Sequence, residues 1–280
     1  MAETGRLTAP RTAPTISPVT LLRIAIILFV LVAWELTAQS GLLFRDVVPS
    51  LLVIARAIGQ TLFHPDTPFD LAFFGLGTVR LPEFYWHLWV TTYEVGIGLF
   101  IGGLAGLAAG LLLGANRFLS EAFERFLYYL GPTPKIIFFP VMIMWFGVGP
   151  ASKVAMGTLS CFFPVALSVA AGMRQIDEIL IRVGRSFRVS TWQMVTKIYL
   201  PAMRAPIVNG VRLGLGVAII GTLLAETKLS NRGVGFLIIN AYSTFNMPRM
   251  YSLLILVFVV AIGANVLVSR FGRLDTIKGR

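Results

Sequence analysis

Three ionisable residues stand inside otherwise apolar stretches of the chain: Glu94, Lys135 and Arg212. A charge at membrane depth is costly, so such a residue faces the interior of a helix bundle, a partner charge or water. Lys135 directly follows Gly131-Pro132-Thr133-Pro134. Proline removes a backbone donor and clashes with the preceding turn. A helix broken inside a membrane is tolerated only against protein or a water-filled cavity, and broken helices near the midplane mark substrate paths. A cation at such a break suits an anionic solute, which makes Glu94, Pro134 and Lys135 the candidate translocation-path residues. The competing expectations are an ion pair between Lys135 and Glu94, or a lysine that snorkels to the interface. Arg212 is expected at the inner end of its span in a structural or surface role.

Bond-breaking chemistry has no visible machinery. The sequence holds no Gly-x-x-x-x-Gly-Lys phosphate loop, no Gly-x-Ser-x-Gly and no His-Glu-x-x-His. No catalytic residue is assigned. His64 and His87 are far apart and lack a Cys or carboxylate at ligand spacing, so no metal site is expected. Cys161 is a lone thiol in an apolar run and reads as a packing residue. The chain is expected to bind no cofactor of its own. If it moves solute uphill, the energy comes from a partner or an ion gradient.

The elements that must position these residues follow from composition. Of 280 residues, 56% are hydrophobic and 13% charged, against about 25% charged in soluble domains. Crossing ~30 Å of hydrocarbon takes about 20 apolar residues. Residues 95–116, 154–173 and 250–269 carry no charge, and neither does the shorter run 136–152. Residues 21–41 hold only Arg23 and Glu35, and 205–225 only Arg212. These patterns predict an all-α polytopic membrane protein. Its six helices should lie near 21–41, 86–114, 118–148, 153–173, 205–226 and 250–269. They follow a cytoplasmic tail, 1–20, expected to be disordered. With the N-terminus inside, sixteen Lys and Arg residues fall in inner segments and seven in outer ones. This positive-inside bias puts both termini in the cytoplasm. The net charge of +11 therefore reports orientation in a lipid membrane rather than nucleic-acid binding.

Gly98, Gly102, Gly106 and Gly110 recur every fourth residue and make one smooth helix stripe for close packing. Residues 48–63 read as a short amphipathic helix on the outer side, and 64–83 as a loop. Residues 174–204 form a basic inner loop. Its apolar positions fall near helical spacing and break at Val189-Ser190-Thr191, where Ser190 or Thr191 can cap a following helix. Two short amphipathic helices are expected there. They lie on the membrane surface or dock into a groove of a cytoplasmic protein. Pro201 and Pro206 mark the corner back into lipid.

The stretch 182–216, RVGRSFRVSTWQMVTKIYLPAMRAPIVNGVRLGLG, resembles the cytoplasmic loop of binding-protein-dependent ABC importer permeases. It is most similar to that of their nitrate/sulfonate/taurine branch. Residues 132–165 and 240–250 resemble that branch too. The loop departs from the family pattern. Arg182-Val183-Gly184 stands where Glu-Ala-Ala is usual, and Arg188 where the loop glycine is usual; Leu200-Pro201 is intact. The stretch 63–81 looks like extra outer-loop sequence.

The resemblance implies a small type I importer fold in a bacterial inner membrane. It implies a second permease copy, a cytoplasmic ABC ATPase dimer carrying ATP and Mg, and a periplasmic or lipid-anchored solute-binding protein. The coupling residues it points to are Arg182, Val183, Gly184, Arg185, Ser186, Phe187, Arg188, Val189, Ser190, Thr191 and Pro201. Glu226 and Lys228, near the outer end of the fifth span, are placed to touch the binding protein. The solute implied is small and anionic, of the nitrate, sulfonate, taurine or bicarbonate kind, moved by alternating access. The alternative is an ion-coupled secondary transporter, but no inverted repeat and few intramembrane ionisable residues support it.

Overall fold

The computed structural model describes residues 17–41, 47–64, 67–70 and 78–277. The expected tail falls mostly on residues 1–16, outside the described residues. Helix α1 (Pro18–Gln39) is followed by α2 (Leu51–Phe63) and a hairpin of β1 (Thr67–Asp70) and β2 (Thr78–Leu81). The strands pair antiparallel with Thr67 opposite Leu81 and Asp70 opposite Thr78. The region expected as a loop thus contains a small hairpin, built where Val79 and the residues around it favour extended backbone. Next come α3 (Glu83–Ala115), α4 (Arg117–Leu130), a 3-10 turn (Lys135–Phe138), α5 (Phe139–Phe146) and α6 (Pro150–Met173). The inner loop holds α7 (Glu178–Ser186), α8 (Thr191–Gln193), a π-helical segment (Met194–Tyr199) and α9 (Leu200–Ala202). The chain ends in α10 (Arg204–Glu226), α11 (Val234–Ser243) and α12 (Met247–Ile277).

Helix α6 is the centre of the bundle, gripped between α3 and α10. The glycine stripe of α3 lies on it in register. A Cβ on Gly102 would come 2.5 Å from the Thr158 carbonyl oxygen, one on Gly106 2.7 Å from that of Phe162, and one on Gly110 2.6 Å from Cβ of Val169. Gly114 continues the seam onto Met173. Both helices advance in the same direction along this seam. From Gly98 to Gly114 it covers about 24 Å at 1.5 Å per residue. The chain between them must therefore return through that height. Helices α4 and α5 make the return, bent by 96° at the Gly131–Pro134 break.

On its other side, α6 meets α10 running the opposite way. Gly210 lies on Ser168, Gly214 on Cys161, and Gly221 on Ser160, while Gly157 and Gly172 of α6 receive Thr222 and Pro206. Val95, Cys161, Val165, Val169, Met203 and Leu215 fill the space between the three helices.

The peripheral elements are pinned to this core. Helix α1 is held at its outer end, where Trp34 Nε1 donates to the Pro49 carbonyl at 3.1 Å and Glu35 Oε2 accepts from Leu51 N at 2.9 Å. No residue of α1 is buried. Helix α2 buries Ile54 and Ala57 and packs along α12.

Helix α11 starts without a cap of its own, and its first amides are satisfied by other helices. Gly233 N donates to His87 Nδ1 at 2.9 Å, Val234 N to Thr91 Oγ1 at 2.8 Å and Gly235 N to Glu226 Oε2 at 2.7 Å. Thr91 Oγ1 in turn donates to Glu226 Oε1 at 2.7 Å. Gly233 has φ +96°, and a Cβ there would strike the Glu226 carboxyl group, so only glycine suits the position.

Two outcomes follow. Gly106→Leu should lower the thermal unfolding midpoint in detergent, at an overpacking cost of at least about 1–3 kcal/mol. Gly103→Leu, whose Cβ meets nothing within 4 Å, should leave the midpoint within error. Thr91→Val should speed hydrogen exchange at Val234 and destabilise the fold by about 1–3 kcal/mol, since it strands the Val234 amide and removes a donor from Glu226.

Candidate functional site

The inner loop folds as two short helices meeting at a tight corner. Asp177 opens α7 by accepting from Ile179 N at 2.8 Å. Arg182 pairs with Glu178 on the exposed face at 2.7 Å. The helix closes in a Schellman motif: Val189 N donates to the Gly184 carbonyl at 3.2 Å and Arg188 N to that of Arg185 at 3.0 Å. That motif needs a left-handed residue, and Arg188 supplies it with φ +48°. A non-glycine residue thus carries the left-handed strain at this corner.

Ser190 then builds a capping box with Gln193. Ser190 N donates to Gln193 Oε1 at 3.0 Å, and Gln193 N to Ser190 Oγ at 3.3 Å. Thr191 is the first residue of α8, and Ser186 the last of α7.

The segment presents one apolar surface outward and one inward. Ile179, Leu180, Val183, Phe187 and Trp192 are exposed, Phe187 to 78% and Trp192 to 75%. Gly184 is buried: a Cβ there would sit 3.0 Å from Cε of Met194. The glycine standing in the Glu-Ala-Ala position thus lets α7 rest on the π-helical segment. In that segment Leu200 N reaches the Val195 carbonyl, five residues back. Pro201 offers no amide to the Lys197 carbonyl, and the widened turn lies directly upstream of it. Met203, fully buried, ties the end of the segment into the core shared with Met173 and Ile176. Met203 thereby joins the end of this segment to the first turn of α10.

The membrane-embedded charges are arranged differently from the sequence expectation. Lys135 and Glu94 are not paired. Lys135 Nζ donates to the Leu130 carbonyl at 3.1 Å and to that of Gly131, closing the end of α4. It lies 5.0 Å from the centre of the Phe163 ring. Pro134 is exposed beside it in the turn.

Glu94 is buried close to the C-terminal end of α10, next to Glu226 and within the field of Lys153. Lys153, also buried, is held by the carbonyls of Val148, Gly149 (3.2 Å) and Leu229 (2.9 Å). Among the described residues, Glu94 Oε2 and Thr222 Oγ1 have no hydrogen-bond partner. Glu226 was expected to face a partner protein. It is fully buried instead, because its two oxygens serve Thr91 and the start of α11; Lys228 remains exposed.

Thr91 and Thr222 carry no signal that singles them out in the sequence, and His87, weighed there only as a metal ligand, instead accepts from the Gly233 amide. The only signal for Lys153 is a lone cation at the fourth residue of the mainly small and apolar run that becomes α6. Arg212 holds α10 to α12 by donating from Nε to Asn265 Oδ1 at 2.8 Å, in keeping with a structural role.

Residues 99–274 match the sequence profile described as binding-protein-dependent transport system inner membrane component. A Bacillus subtilis protein named as a putative aliphatic sulfonates transport permease is 32% identical over 82% of this chain and 78% of its own length. The Escherichia coli taurine transport system permease protein is 30% identical over 55% of this chain and 56% of its own. Among solved structures, a chain of the MetNI methionine ABC transporter in an inward-facing conformation superposes with a TM-score of 0.62 at 20% identity, covering 69% of this chain and 95% of that one. The fold is therefore that of a MetI-type permease. The profile match covers well over half of the sequence, and with it this chain belongs to the binding-protein-dependent transport system inner membrane components.

Proposed function

We propose that the protein is the translocation subunit of an ATP-driven importer for a small anionic solute, with a sulfonate as the first candidate. It works with a second copy of itself, and both termini are cytoplasmic in a bacterial inner membrane. ATP and Mg reside on a partner ATPase pair, and this chain performs no hydrolysis. A solute-binding protein delivers cargo at the outer face, and the two permease copies rock between outward- and inward-open states.

The observation that carries this reading is the exposed apolar face of α7 and α8. Ile179, Val183, Phe187 and Trp192 stand clear of the body, yet the segment that bears them ends on buried Met203. A surface helix with nothing to contact would turn such residues inward. Here they suit a groove of the ATPase (helix-in-groove docking). The family match supports the partner classes, and the two named relatives support the solute class. Lys135, half-buried at the break, has carbonyls and the Phe163 ring as its partners and no carboxylate among the described residues, which leaves it open to an anion passing the bend. Glu94 and Pro134 belong to the same path in this reading.

Three measurements test it. Phe187→Asp with Val183→Asp should reduce capture of the cognate ATPase subunit by at least about 100-fold, as expected from losing two buried apolar contacts worth about 1.5–3 kcal/mol each, with desolvation of the new charges adding to the loss. Uptake in vesicles should fall in parallel, with the thermal midpoint of the isolated chain unchanged; full uptake by the double variant would sink the docking assignment. Arg188→Gly should relieve the left-handed strain and raise the midpoint slightly, by about 1 kcal/mol or less, while preserving ATPase capture. Lys135→Gln should raise the KM for sulfonate uptake without weakening ATPase binding.

A further inference from the structure

A groove of about 950 Å³ runs between α10 and α12. Its walls are apolar along most of their length, including Ile219, Leu223, Val257 and Ala261. It extends from Arg212 to Thr227 on α10, about 22 Å at 1.5 Å per residue, longer than one leaflet of a ~30 Å hydrocarbon core. Gly216 lies in the wall, and a Cβ there would meet nothing within 4 Å. The groove is thus open where α10 could have filled it.

One end of the groove has a different chemistry. Arg212 and Arg270 both line it there, together with Asn265 and Ser269. Asn265 engages one N–H of Arg212 and fixes the side chain. Among the described residues, neither arginine forms an ion pair with a carboxylate, and both are exposed. Two exposed guanidinium groups at one end of a long apolar slot offer an anion two positive charges. Guanidinium binds phosphate oxygens bidentately, and basic pockets between membrane helices take anionic headgroups.

We infer that this groove is a binding site for an anionic phospholipid, with the phosphate at Arg212 and Arg270 and one acyl chain lying between α10 and α12. Arg212 lies toward the inner end of α10, near the coupling loop. A bound lipid would therefore brace the first half of the helix that follows the coupling loop. The site stands on the groove and its arginines alone. It does not depend on the transported solute or on the direction of transport.

The experiment is native mass spectrometry of the full chain released from detergent, titrated with dioleoylphosphatidylglycerol or dioleoylphosphatidylcholine. The glycerol lipid should bind at least ~10-fold more tightly, with Arg270→Gln costing about fivefold and Arg212→Gln/Arg270→Gln abolishing the preference. Ala261→Trp, which fills the slot without touching the arginines, should weaken both lipids. An equal affinity for the two lipids, or a preference that survives the double variant, overturns the proposal. So does efficient disulfide bonding between copies carrying Ile262→Cys in native membranes, because a second copy would then occupy the groove.

Discussion

Backbone contact between α6 and its two neighbours is the constraint on which the rest of this structure depends. In lipid there is no hydrophobic force to bring helices together, and association rests on dispersion at very short range. Glycines on α3, α6 and α10 supply that range by leaving carbonyl oxygens and Cβ atoms within reach of opposing backbone. The seam between α3 and α6 is parallel, and this dictates the path of everything between them. The bent α4–α5 pair is forced to carry the chain back across, and the break at Gly131–Pro134 lets it do so at 96° rather than as a rod.

The charged residues show how a low-dielectric interior sets polar side chains to structural work. Lys153, Thr91, His87 and Glu226 come from three different helices, and each satisfies backbone groups that lipid or close packing would leave bare. His87, Thr91 and Glu226 serve as an external cap for α11, and Lys153 gathers three carbonyls. An unpaired backbone group in this setting costs about as much as a lost hydrogen bond or more. That is reason enough for costly side chains to be kept there without any role in transport. Lys135 is the exception in position, since it sits at the bend itself.

The inner loop combines rigidity at its corner with an irregular connection to the core. The Schellman motif and the capping box leave few free backbone groups between α7 and α8. Arg188 occupies a left-handed position that costs a non-glycine residue about 1–2 kcal/mol. Further along, the π-helical segment and Pro201 interrupt regular bonding immediately before α10. Such segments accommodate change more readily than continuous α-helix, whereas Met203 prevents the junction from swinging free.

The sequence alone determined the membrane class, the mainly helical fold, the packing role of the glycine stripe, the break before Lys135 and the two-helix form of the basic loop. Each of these is written in local composition or in helical period, which survive without knowledge of the fold. The Schellman corner was foreshadowed by the place where Arg188 replaces a glycine, but its left-handed backbone had to be seen. What only the tertiary structure decided was partnership. Glu94 meets Glu226 and Lys153 rather than Lys135, Glu226 turns inward to cap α11, and Arg212 and Arg270 converge on one groove. Pairings across tens or more of residues depend on helix rotation and register, and a side-chain pattern along one helix carries no record of the rotation of the next.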